Sequence, residues 1–464
     1  RGISLEKLLF KIEVLVTKKG MMILKNIENF VKILLEKTEG KKIHLVSHFD
    51  TDGITSAAIF SKTLERLNKQ FSLKILKQLT EEEINLFPKD KAIILLDLGS
   101  NSLEPLSKLD TEVFIIDHHE IDFKPFDNLH IFNPHLFEEY ENLCGAELAF
   151  LISKNISEEN KSLAYLAVIG MVGDTMEKNI TKTRNSILKE TKIKIKKGLL
   201  IYPSTRPLDK ALEYNSHPFI PGVTGDSKGT YELLREANIE KINKKYKALI
   251  DLSEPEMKSL VTAVMLRLSS KEKKSNYIGN LYLIKFFNKI EDAREISAMI
   301  NACSRMDQSG IALMLCLGNN SARKKAEKVY VKYRQAIISG LKYIDKSKKI
   351  QGREFVIIHG KDKIKDTIIG TLTSILSFSS TYPDGTILIS MTYTDNEQIK
   401  ISARISGRKE TNRNLKELMD SIVYSIGGES GGHKMAAGCT IKKENENKFI
   451  ELIKKKLEFE LIKV

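Results

Sequence analysis

The chain has 464 residues, of which 42% are hydrophobic and 29% charged, and its 74 Lys and Arg against 60 Asp and Glu give a formal net charge of +14. This length exceeds what one hydrophobic core usually serves, so we expect two or more domains. No apolar stretch approaches the ~18 to 20 residues of a membrane helix and no signal-peptide pattern is found, which excludes a membrane-spanning class and predicts a cytoplasmic protein.

The excess of basic residues favours a polyanionic partner such as nucleic acid, although a lysine-rich solvated surface of the kind found in thermophiles explains it equally well. The cysteines are widely separated and form no C-x-x-C pair, which indicates buried thiols rather than a disulfide framework or a zinc site. Residues 1–20 precede Met21 and Met22 and are interpreted as an N-terminal extension without a function.

Short apolar runs alternate with helical patterns in the first part of the chain. Residues 41–48 predict a strand, and residues 54–68 have the spacing of a helix. Four further strands are predicted at residues 71–78, 91–99, 111–119 and 128–134. Their continuous apolar character is typical of strands buried on both faces, which predicts an α/β fold with a parallel sheet flanked by helices. Ligands bind such sheets at the carboxyl ends of the strands.

From about residue 145 to 340 the pattern is mostly helical, with one loop-rich exception at residues 204–229. The predicted helices include residues 146–156, 161–174, 244–252 and 255–270. After the break at residues 318–320, one long helix is predicted that connects two domains. Strands and helices then alternate again, which predicts a second, smaller α/β unit. The expected division is an extension at 1–20, a first domain with a helical part at 21–318, a connecting helix at 319–346, and a second domain at 347–464.

Acidic residues and histidines stand at the ends of the predicted elements. Asp50 and Asp52 follow the first strand, where residues two apart share a face, so both carboxylates can reach one point. Alternatively, Asp52 is the N-cap of the following helix. The same pattern continues at later strand or helix ends with Asp97, Asp117, His118, His119 and Asp174.

Carboxylates combined with imidazoles are typical of a site for Mg²⁺ or Mn²⁺, and the imidazoles favour Mn²⁺. A set this rich in carboxylates can hold two ions about 3.5 to 4 Å apart, one activating water and the other binding a phosphoryl oxygen. Such an arrangement suits hydrolysis of a phosphodiester.

A glycine-rich segment at residues 427–438 forms a second candidate site. Its glycines, among them Gly431 and Gly432, allow the backbone to approach a ligand closely, and His433 and Lys434 supply donors for a phosphate. A flexible turn is the simpler alternative.

These motifs, in this order, resemble the DHH phosphoesterase family. The matching segments are DTDG at residues 50–53, Asp97, DHH at 117–119 and GDT at 173–175, and GGHKMAAG at 431–438 resembles the family's DHH-associated second domain. The segments at residues 144–150 and 301–310 resemble those of RecJ-type exonucleases. The resemblance covers about residues 40–445 and is closest to a compact archaeal-type RecJ-like protein.

The resemblance implies a DHH domain joined by a long helix to a smaller DHH-associated domain across a cleft. It makes Asp50, Asp52, Asp97, His118 and Asp174 the ligands of two Mn²⁺ or Mg²⁺ ions, with Asp97 as the bridge. His119 would face the scissile phosphate, and Asp117 would orient a histidine. His48 stands where bacterial RecJ commonly has an aspartate, and it is either a further ligand or a histidine satisfied at the strand end.

On the substrate side, Arg305 and Arg404 match basic positions that meet phosphates in the family, although either is alternatively a surface salt bridge. Gly431, Gly432 and His433 would hold a nucleotide. We therefore expect a metal-dependent exonuclease that cleaves single-stranded DNA or RNA to 5′-mononucleotides in DNA repair or RNA processing, with replication or repair proteins as further partners. The alternatives are a nanoRNase or cyclic-dinucleotide phosphodiesterase, and a replisome scaffold without activity. The polarity of digestion, the sugar preference and the oligomeric state stay open.

Overall fold

The computed structural model describes residues 26–137, 141–191, 193–201, 203–215, 220–268, 277–379, 381–407 and 413–462. The extension expected at residues 1–20 lies outside the described residues. The chain divides into two compact units, Arg1–Glu327 and Lys328–Val464. Within the described ranges, no helix has the length and the hydropathy that crossing a membrane requires.

A five-stranded sheet forms the core of the first unit, with the strands in the order β2-β1-β3-β4-β5. All its neighbouring strands pair in parallel, so the prediction of a parallel sheet is confirmed. Every residue of β4 and nearly every residue of β3 is buried, which explains their continuous apolar sequences. The strands are β1 (Lys42–His48), β2 (Phe71–Leu76), β3 (Lys91–Leu96), β4 (Val113–Ile116) and β5 (Leu129–Phe132).

Helices cover this sheet, and α2, α5 and α6 pack against one another. The close approach of α5 to α6 depends on Gly170, because a Cβ there would lie 2.4 Å from the Cβ of Ala146. The helices of this part are α1 (residues 26–37), α2 (Thr51–Arg66), α3 (Glu81–Asn85), α4 (Leu103–Ser107), α5 (Gly145–Ile156), α6 (Ala164–Gly173) and α7 (Lys182–Glu190).

The rest of the first unit differs from the predicted mostly helical segment. It contains an antiparallel sheet of β6 (Lys194–Leu199), β9 (Ile278–Phe286) and β10 (Lys289–Asp292), and a hairpin of β7 (Lys241–Ile242) and β8 (Lys245–Tyr246). The helix predicted at residues 244–252 is wrong, because β8 and a 3-10 turn occupy this segment. The helices here are α8 (Leu208–Glu213), which lies within the predicted loop, α9 (Ser227–Glu236), α10 (Glu254–Arg267), α11 (Ala293–Arg305) and α12 (Ser309–Cys316).

The division between the two units falls within one long helix, α13 (Asn320–Lys346). The second unit has a six-stranded sheet in the order β11-β12-β13-β14-β16-β15, in which only β12 and β13 pair in parallel. Its strands are β11 (Lys349–Gln351), β12 (Phe355–His359), β13 (Ile387–Tyr393), β14 (Gln398–Ile405), β15 (Glu429–His433) and β16 (Ala436–Lys442). Its helices are α14 (Asp366–Phe378), α15 (Leu415–Ile426) and α16 (Glu446–Ile462).

The glycine-rich segment at residues 427–438 belongs to a β-hairpin rather than to a flexible turn alone. Residues Glu429–His433 form the edge strand β15, which pairs antiparallel with β16. The sequence gives no strand signal here because all the residues of β15 are exposed and two of them are glycines.

Candidate metal centre

The carboxyl ends of β1, β3 and β4 bring the predicted ligands to one edge of the first sheet. Asp50 follows β1, Asp97 follows β3, and His118 comes two residues after the end of β4. Because these three strands are adjacent and parallel, their ends meet. Asp174 arrives from another direction, as the C-cap of α6.

Three overlapping groups of side chains have ligand atoms within 4.8 Å of one another. His118 connects two of them, because its Nε2 lies 3.3 Å from Asp97 Oδ1 and 3.8 Å from both Asp52 Oδ2 and Asp174 Oδ2. The groups are His48, Asp50 and Asp97; Asp97, His118 and His119; and Asp52, His118 and Asp174.

His48 belongs to this cluster. Its Nδ1 lies 3.2 Å from Asp50 Oδ2 and 3.4 Å from Asp97 Oδ2. Within the described part of the chain, this nitrogen makes no hydrogen bond of normal geometry. The structure thus places His48 among the ligand candidates, and its role as a ligand stays a prediction.

Asp97 is the most buried carboxylate of the cluster, with 1% of its side chain exposed. Among the described residues, neither of its oxygens takes part in a hydrogen bond of normal geometry. Its φ of 58° lies in the left-handed region that residues other than glycine rarely adopt. The imidazoles of His48 and His118 approach its oxygens to 3.4 and 3.3 Å. Burying a carboxylate is costly unless positive charge compensates it, so a buried Asp97 that faces imidazoles without hydrogen bonds of normal geometry fits a metal ligand.

Asp52 accepts hydrogen bonds from the start of a neighbouring helix. Its Oδ2 accepts from the backbone N–H of Gly145 at 2.6 Å, and its Oδ1 from that of Ala146 at 2.9 Å. The alternative of Asp52 as N-cap of α2 is wrong, because Asp50 holds this position and accepts from the N–H of Gly53 at 3.0 Å.

The glycine at the start of α5 permits this arrangement. A Cβ on Gly145 would lie 2.9 Å from both Asp52 Oδ2 and the Cβ of Asp97. The N-terminus of α5 can therefore approach two carboxylates of the cluster only because this position has no side chain.

Asp117 and His119 form a hydrogen-bonded pair. Asp117 Oδ1 lies 2.7 Å from His119 Nδ1 and also accepts from the N–H of His118, while its Oδ2 accepts from the N–H of Ser100. Although burial acts in the opposite direction, these hydrogen bonds lower the pKa of the Asp117 carboxyl below its usual range. A charged Asp117 favours the proton on Nδ1 of His119, and therefore leaves Nε2 available to an incoming group.

Mutual repulsion and burial shift the proton affinities of the ligand candidates. Burial lowers the pKa of His118, but the attraction of Asp97, whose Oδ1 lies 3.3 Å from Nε2, and of the other neighbouring carboxylates outweighs it and raises the pKa to about 10. Burial and the charges of Asp50 and Asp97 raise the pKa of Asp174 to about 6. Burial and its acidic neighbours likewise raise the pKa of Asp52. The cluster therefore retains protons that a bound cation would displace.

Arg305 lies near the cluster because its guanidinium contacts the ring of Phe49, the residue between His48 and Asp50. It is the last residue of α11, and its guanidinium carbon is 5.9 Å from the centre of the Phe49 ring. The helix is held there by Thr51, whose hydroxyl donates to the carbonyl of Ser297 at 3.1 Å. A cation is thus placed beside the segment that carries His48 and Asp50.

The remaining predicted residues lie in the second unit. The Arg404 guanidinium donates to the hydroxyls of Ser374 and Ser402 and to the carbonyl of Ala403, at 2.8 to 3.2 Å. His433 is exposed at the end of β15 and pairs with Ala436. Gly431 and Gly432 belong to the same edge strand.

Two residues that support the cluster were not identified from the sequence. Glu147 forms a capping box at the start of α5, and Arg184 is buried against it with two hydrogen bonds. A glutamate at the third position of a helix is a recognisable signal for the first residue. Nothing in the local sequence around Arg184 indicates its partner.

A parallel α/β sheet with buried carboxylates and histidines at its carboxyl edge defines the class of this chain as a RecJ-like DHH phosphoesterase fold. The family models agree: the N-terminal domain of the DHH family matches residues 42–171, the DHH-CID domain residues 201–282, and the DHHA1 domain residues 353–458. Residues 42–171 thus match the DHH family and residues 353–458 its DHHA1 domain, as the motifs predicted.

Two curated relatives share 26% of the residues that align with this chain. An uncharacterized protein of Methanocaldococcus jannaschii aligns over 447 residues, which is 93% of this chain and 97% of that protein. A protein of Bacillus subtilis with the provisional name of a prophage-derived single-strand DNA-specific exonuclease aligns over 294 residues, 58% of this chain and 50% of that protein.

Solved structures share the fold at low sequence identity. RecJ of Thermus thermophilus in complex with Mn²⁺ has a TM-score of 0.58 at 17% identity, over 92% of this chain and 54% of that one. CDC45 of Entamoeba histolytica has a TM-score of 0.59 at 14% identity, over 95% of this chain and 98% of that one. The chain thus spans about half the length of the Thermus RecJ and of the Bacillus relative.

Proposed function

We propose that the chain is a metal-dependent exonuclease that hydrolyses single-stranded DNA or RNA to 5′-mononucleotides. The observation that carries this proposal is Asp97, a buried carboxylate without hydrogen bonds of normal geometry in the described residues, at the centre of two groups of ligand candidates. The names of the Thermus structure and of the Bacillus relative support a nuclease, since one is a RecJ with Mn²⁺ and the other is named for single-strand DNA.

The proposed ligands of two Mn²⁺ or Mg²⁺ ions are the carboxylates and histidines of the cluster. The ions would supply charge for the phosphoryl oxygens and a lowered pKa for a bound water. Asp97, which belongs to two of the three groups, is the proposed bridge. The complete proposed set is His48, Asp50, Asp52, Asp97, His118 and Asp174.

His119 is the proposed contact to the scissile phosphate. Although burial lowers the pKa of His119, the hydrogen bond of its Nδ1 with Asp117 at 2.7 Å and the charge of Asp117 raise it above the ordinary value. In the resulting imidazolium form Nε2 can donate to a phosphate oxygen, and the side chain is 42% exposed. Asp117 itself is 1% exposed and is therefore a positioning residue rather than a contact to the substrate.

The proposed contacts to the rest of the nucleic acid come from basic and glycine-rich segments. Arg305 would bind a phosphate near the cluster, while Arg404 and the edge strand with Gly431, Gly432 and His433 would hold a neighbouring nucleotide. The net charge of +14 adds attraction that does not depend on sequence.

The test is digestion of DNA and RNA oligonucleotides labelled at either end, with Mn²⁺ and with chelator. We expect mononucleotides from a single strand with Mn²⁺, little cleavage of a blunt duplex, and none with chelator. Asp97→Asn is the inactive reference. Equal activity of the wild type in excess chelator would refute the metal assignment.

A dinucleotide substrate in the same assay separates the proposed exonuclease from a nanoRNase or cyclic-dinucleotide phosphodiesterase. Hydrolysis of the dinucleotide alone would favour those smaller substrates. The fold shared with CDC45 is compatible with a scaffold in replication. The carboxylate–histidine cluster favours the hydrolase, and absence of hydrolysis with every substrate and metal would favour the scaffold.

A further inference from the structure

An open cavity of about 670 Å³ lies in the first unit between α9 and the β7–β8 hairpin, away from the residues of the metal centre. Its lining includes Tyr231 and Arg235 from the helix and Lys241 and Tyr246 from the hairpin. A volume of this size accommodates a nucleotide or a ligand of similar size.

The two tyrosines form a nearly parallel pair of rings. Their centroids are 6.0 Å apart and their planes are inclined by 24°. Both rings line the cavity, and Tyr231 is 41% exposed, so part of its ring is accessible to a ligand. The Lys241 ammonium lies 4.9 Å from the Tyr231 centroid and 5.1 Å from the Tyr246 centroid.

The backbone presents these groups in a fixed arrangement. On α9, Lys228, Tyr231 and Arg235 are three and four residues apart and therefore share one face of the helix. On the hairpin, Lys241 pairs directly with Tyr246. Two aromatic rings and three cations thus converge from two elements.

The three cations of the cavity outnumber its two carboxylates, Glu232 and Glu240. In the described parts of the chain, Lys228, Arg235 and Lys241 form no ion pair. Nearby basic residues behave differently: Arg267 pairs with Glu236 at 2.6 Å and Lys247 with Glu256 at 2.7 Å.

We propose that this cavity, the aromatic-basic cavity, is a second binding site for single-stranded nucleic acid, in which a base stacks on Tyr231 and the cations hold adjacent phosphates. Stacked aromatic rings combined with cations are the usual means of binding single strands without sequence preference. Glu232 and Glu240 also line the cavity, and their charges repel phosphates. Binding therefore depends on the stacking of a base as well as on the attraction between the cations and the phosphates. The site rests on the proposed function only in its choice of substrate.

The test measures binding rather than hydrolysis, which keeps it distinct from a test of the nuclease. A fluorescein-labelled oligo(dT) is titrated with the full chain in excess chelator, and fluorescence anisotropy gives the affinity. We expect Tyr231→Ala and Tyr246→Ala to weaken binding by about 5- to 150-fold, the range for loss of one stacked base. Tyr231→Phe keeps the ring and should bind within about twofold of the wild type.

Two further variants separate stacking from charge and from general damage. Lys241→Gln should lower the slope of log affinity against log salt by about 0.7, because one phosphate contact is lost. Tyr214→Ala is the matched control: Tyr214 is 59% exposed, and Lys210 lies 5.5 Å from its ring, yet Lys210 is paired with Glu213 at 3.0 Å. We expect this control to bind like the wild type.

The proposal fails if the wild type does not bind oligo(dT) in chelator, or if Tyr231→Ala binds as tightly as the wild type. It also fails if Tyr231→Phe loses as much affinity as Tyr231→Ala, since stacking would then not be the cause. Displacement of the oligonucleotide by a glutamate-rich peptide but not by single-stranded RNA would assign the cavity to an acidic protein partner instead. In each case, hydrolysis of labelled oligonucleotides with Mn²⁺ still tests the nuclease independently.

Discussion

Arg184 and Glu147 form a buried ion pair with two hydrogen bonds, from Nε to Oε1 at 2.7 Å and from Nη2 to Oε2 at 2.6 Å. The same guanidinium donates to the carbonyl of Met176, two residues after Asp174. Glu147 lies in the first turn of α5, whose N-terminal N–H groups bind Asp52. The pair thus connects the helix whose N-terminus binds Asp52 with the segment that follows Asp174.

Arg184→Met should lower the free energy of unfolding by about 3 to 5 kcal/mol, because it leaves the Glu147 carboxylate buried without its partner. Arg184→Lys keeps the positive charge but cannot form both hydrogen bonds to Glu147. Its free energy of unfolding should therefore lie between those of the wild type and Arg184→Met. Urea denaturation followed by circular dichroism measures the change.

The control is Arg206→Met. Arg206 also pairs with a glutamate, at 3.2 Å, but 64% of its side chain is exposed, so its loss should cost about 1 kcal/mol or less. If Arg184→Met were no more destabilising than this control, the pair would not be needed to hold the two segments.

Asp97→Asn should reduce the affinity for Mn²⁺ more than any other single substitution in the cluster, because Asp97 is the carboxylate that belongs to two of its groups and is the proposed bridge between two ions. The rate of hydrolysis should fall below about a tenth of the wild type, since losing an ion costs several kcal/mol of transition-state stabilisation. Isothermal titration gives the number of ions bound. Asp90→Asn, at the exposed opposite end of β3, is the control with the same change in charge. Two ions bound with unchanged affinity in Asp97→Asn would contradict the bridging role.

The pH dependence of the metal-free protein follows from His118. Its folded-state pKa of about 10 lies above the ordinary value of 6.5, so between these values the folded chain holds a proton that the unfolded chain has lost. The free energy of unfolding should therefore fall as the pH rises through this window. Mn²⁺ bound to the proposed ligand His118 would displace this proton, so its apparent affinity should rise with pH, by about tenfold per unit for one proton.

Denaturation at several pH values, with and without Mn²⁺, tests this linkage. His118→Gln should flatten the dependence between pH 6.5 and 10, the ordinary and the folded-state pKa of His118. His130→Gln is the control for the affinity of Mn²⁺, because His130 lies on β5 and pairs with Glu112 rather than with the cluster. An identical pH profile in His118→Gln and the wild type would show that another group carries the effect.

Gly431 and Gly432 offer a matched pair in the edge strand β15. A Cβ on Gly432 would lie 2.5 Å from the carbonyl oxygen of Ala436, and its φ is +131°, whereas a Cβ on Gly431 would meet nothing within 4 Å. Gly432→Ala should therefore destabilise the second unit by about 1 to 3 kcal/mol, and Gly431→Ala should leave its stability unchanged.

Oligonucleotide hydrolysis then tests the proposed grip. If β15 contacts the substrate, the added methyl group of Gly431→Ala should raise KM although the fold is intact. A wild-type KM in this variant would place the substrate elsewhere.

The parallel sheet and the positions of the proposed ligands could be predicted because both leave local signals. Strands buried on both faces appear as continuous apolar runs, and parallel pairing brings their carboxyl ends together. To predict that Asp50, Asp97 and His118 lie close together, it was therefore enough to recognise the strands that precede them.

The contacts of Asp52 and Arg184 could not be predicted because their partners are remote in sequence. Asp52 accepts from backbone N–H groups 93 and 94 residues away, and Arg184 pairs with a residue 37 positions before it. The strand β15 was missed for another reason: an exposed edge strand with glycines has no apolar alternation.

His433→Ala should weaken binding of an oligonucleotide while leaving Mn²⁺ binding intact. His433 is exposed at the end of β15, where it can donate to a phosphate. Loss of one charge-assisted contact is worth about 1.5 to 3 kcal/mol, or roughly 10- to 150-fold in kcat/KM. Some fall in kcat is allowed, because holding the strand also positions the scissile phosphate. Lys442→Gln is the control, since Lys442 ends β16 and 74% of its side chain is exposed.

The decisive comparison for His433 uses a bare model phosphodiester, which has no neighbouring nucleotide for the second unit to hold. His433→Ala should hydrolyse this compound at the wild-type rate while its kcat/KM for an oligonucleotide falls. If the variant slowed both substrates to the same extent, His433 would take part in the bond-breaking step. Binding of the strand could then no longer be assigned to β15 separately from the chemistry of the metal centre.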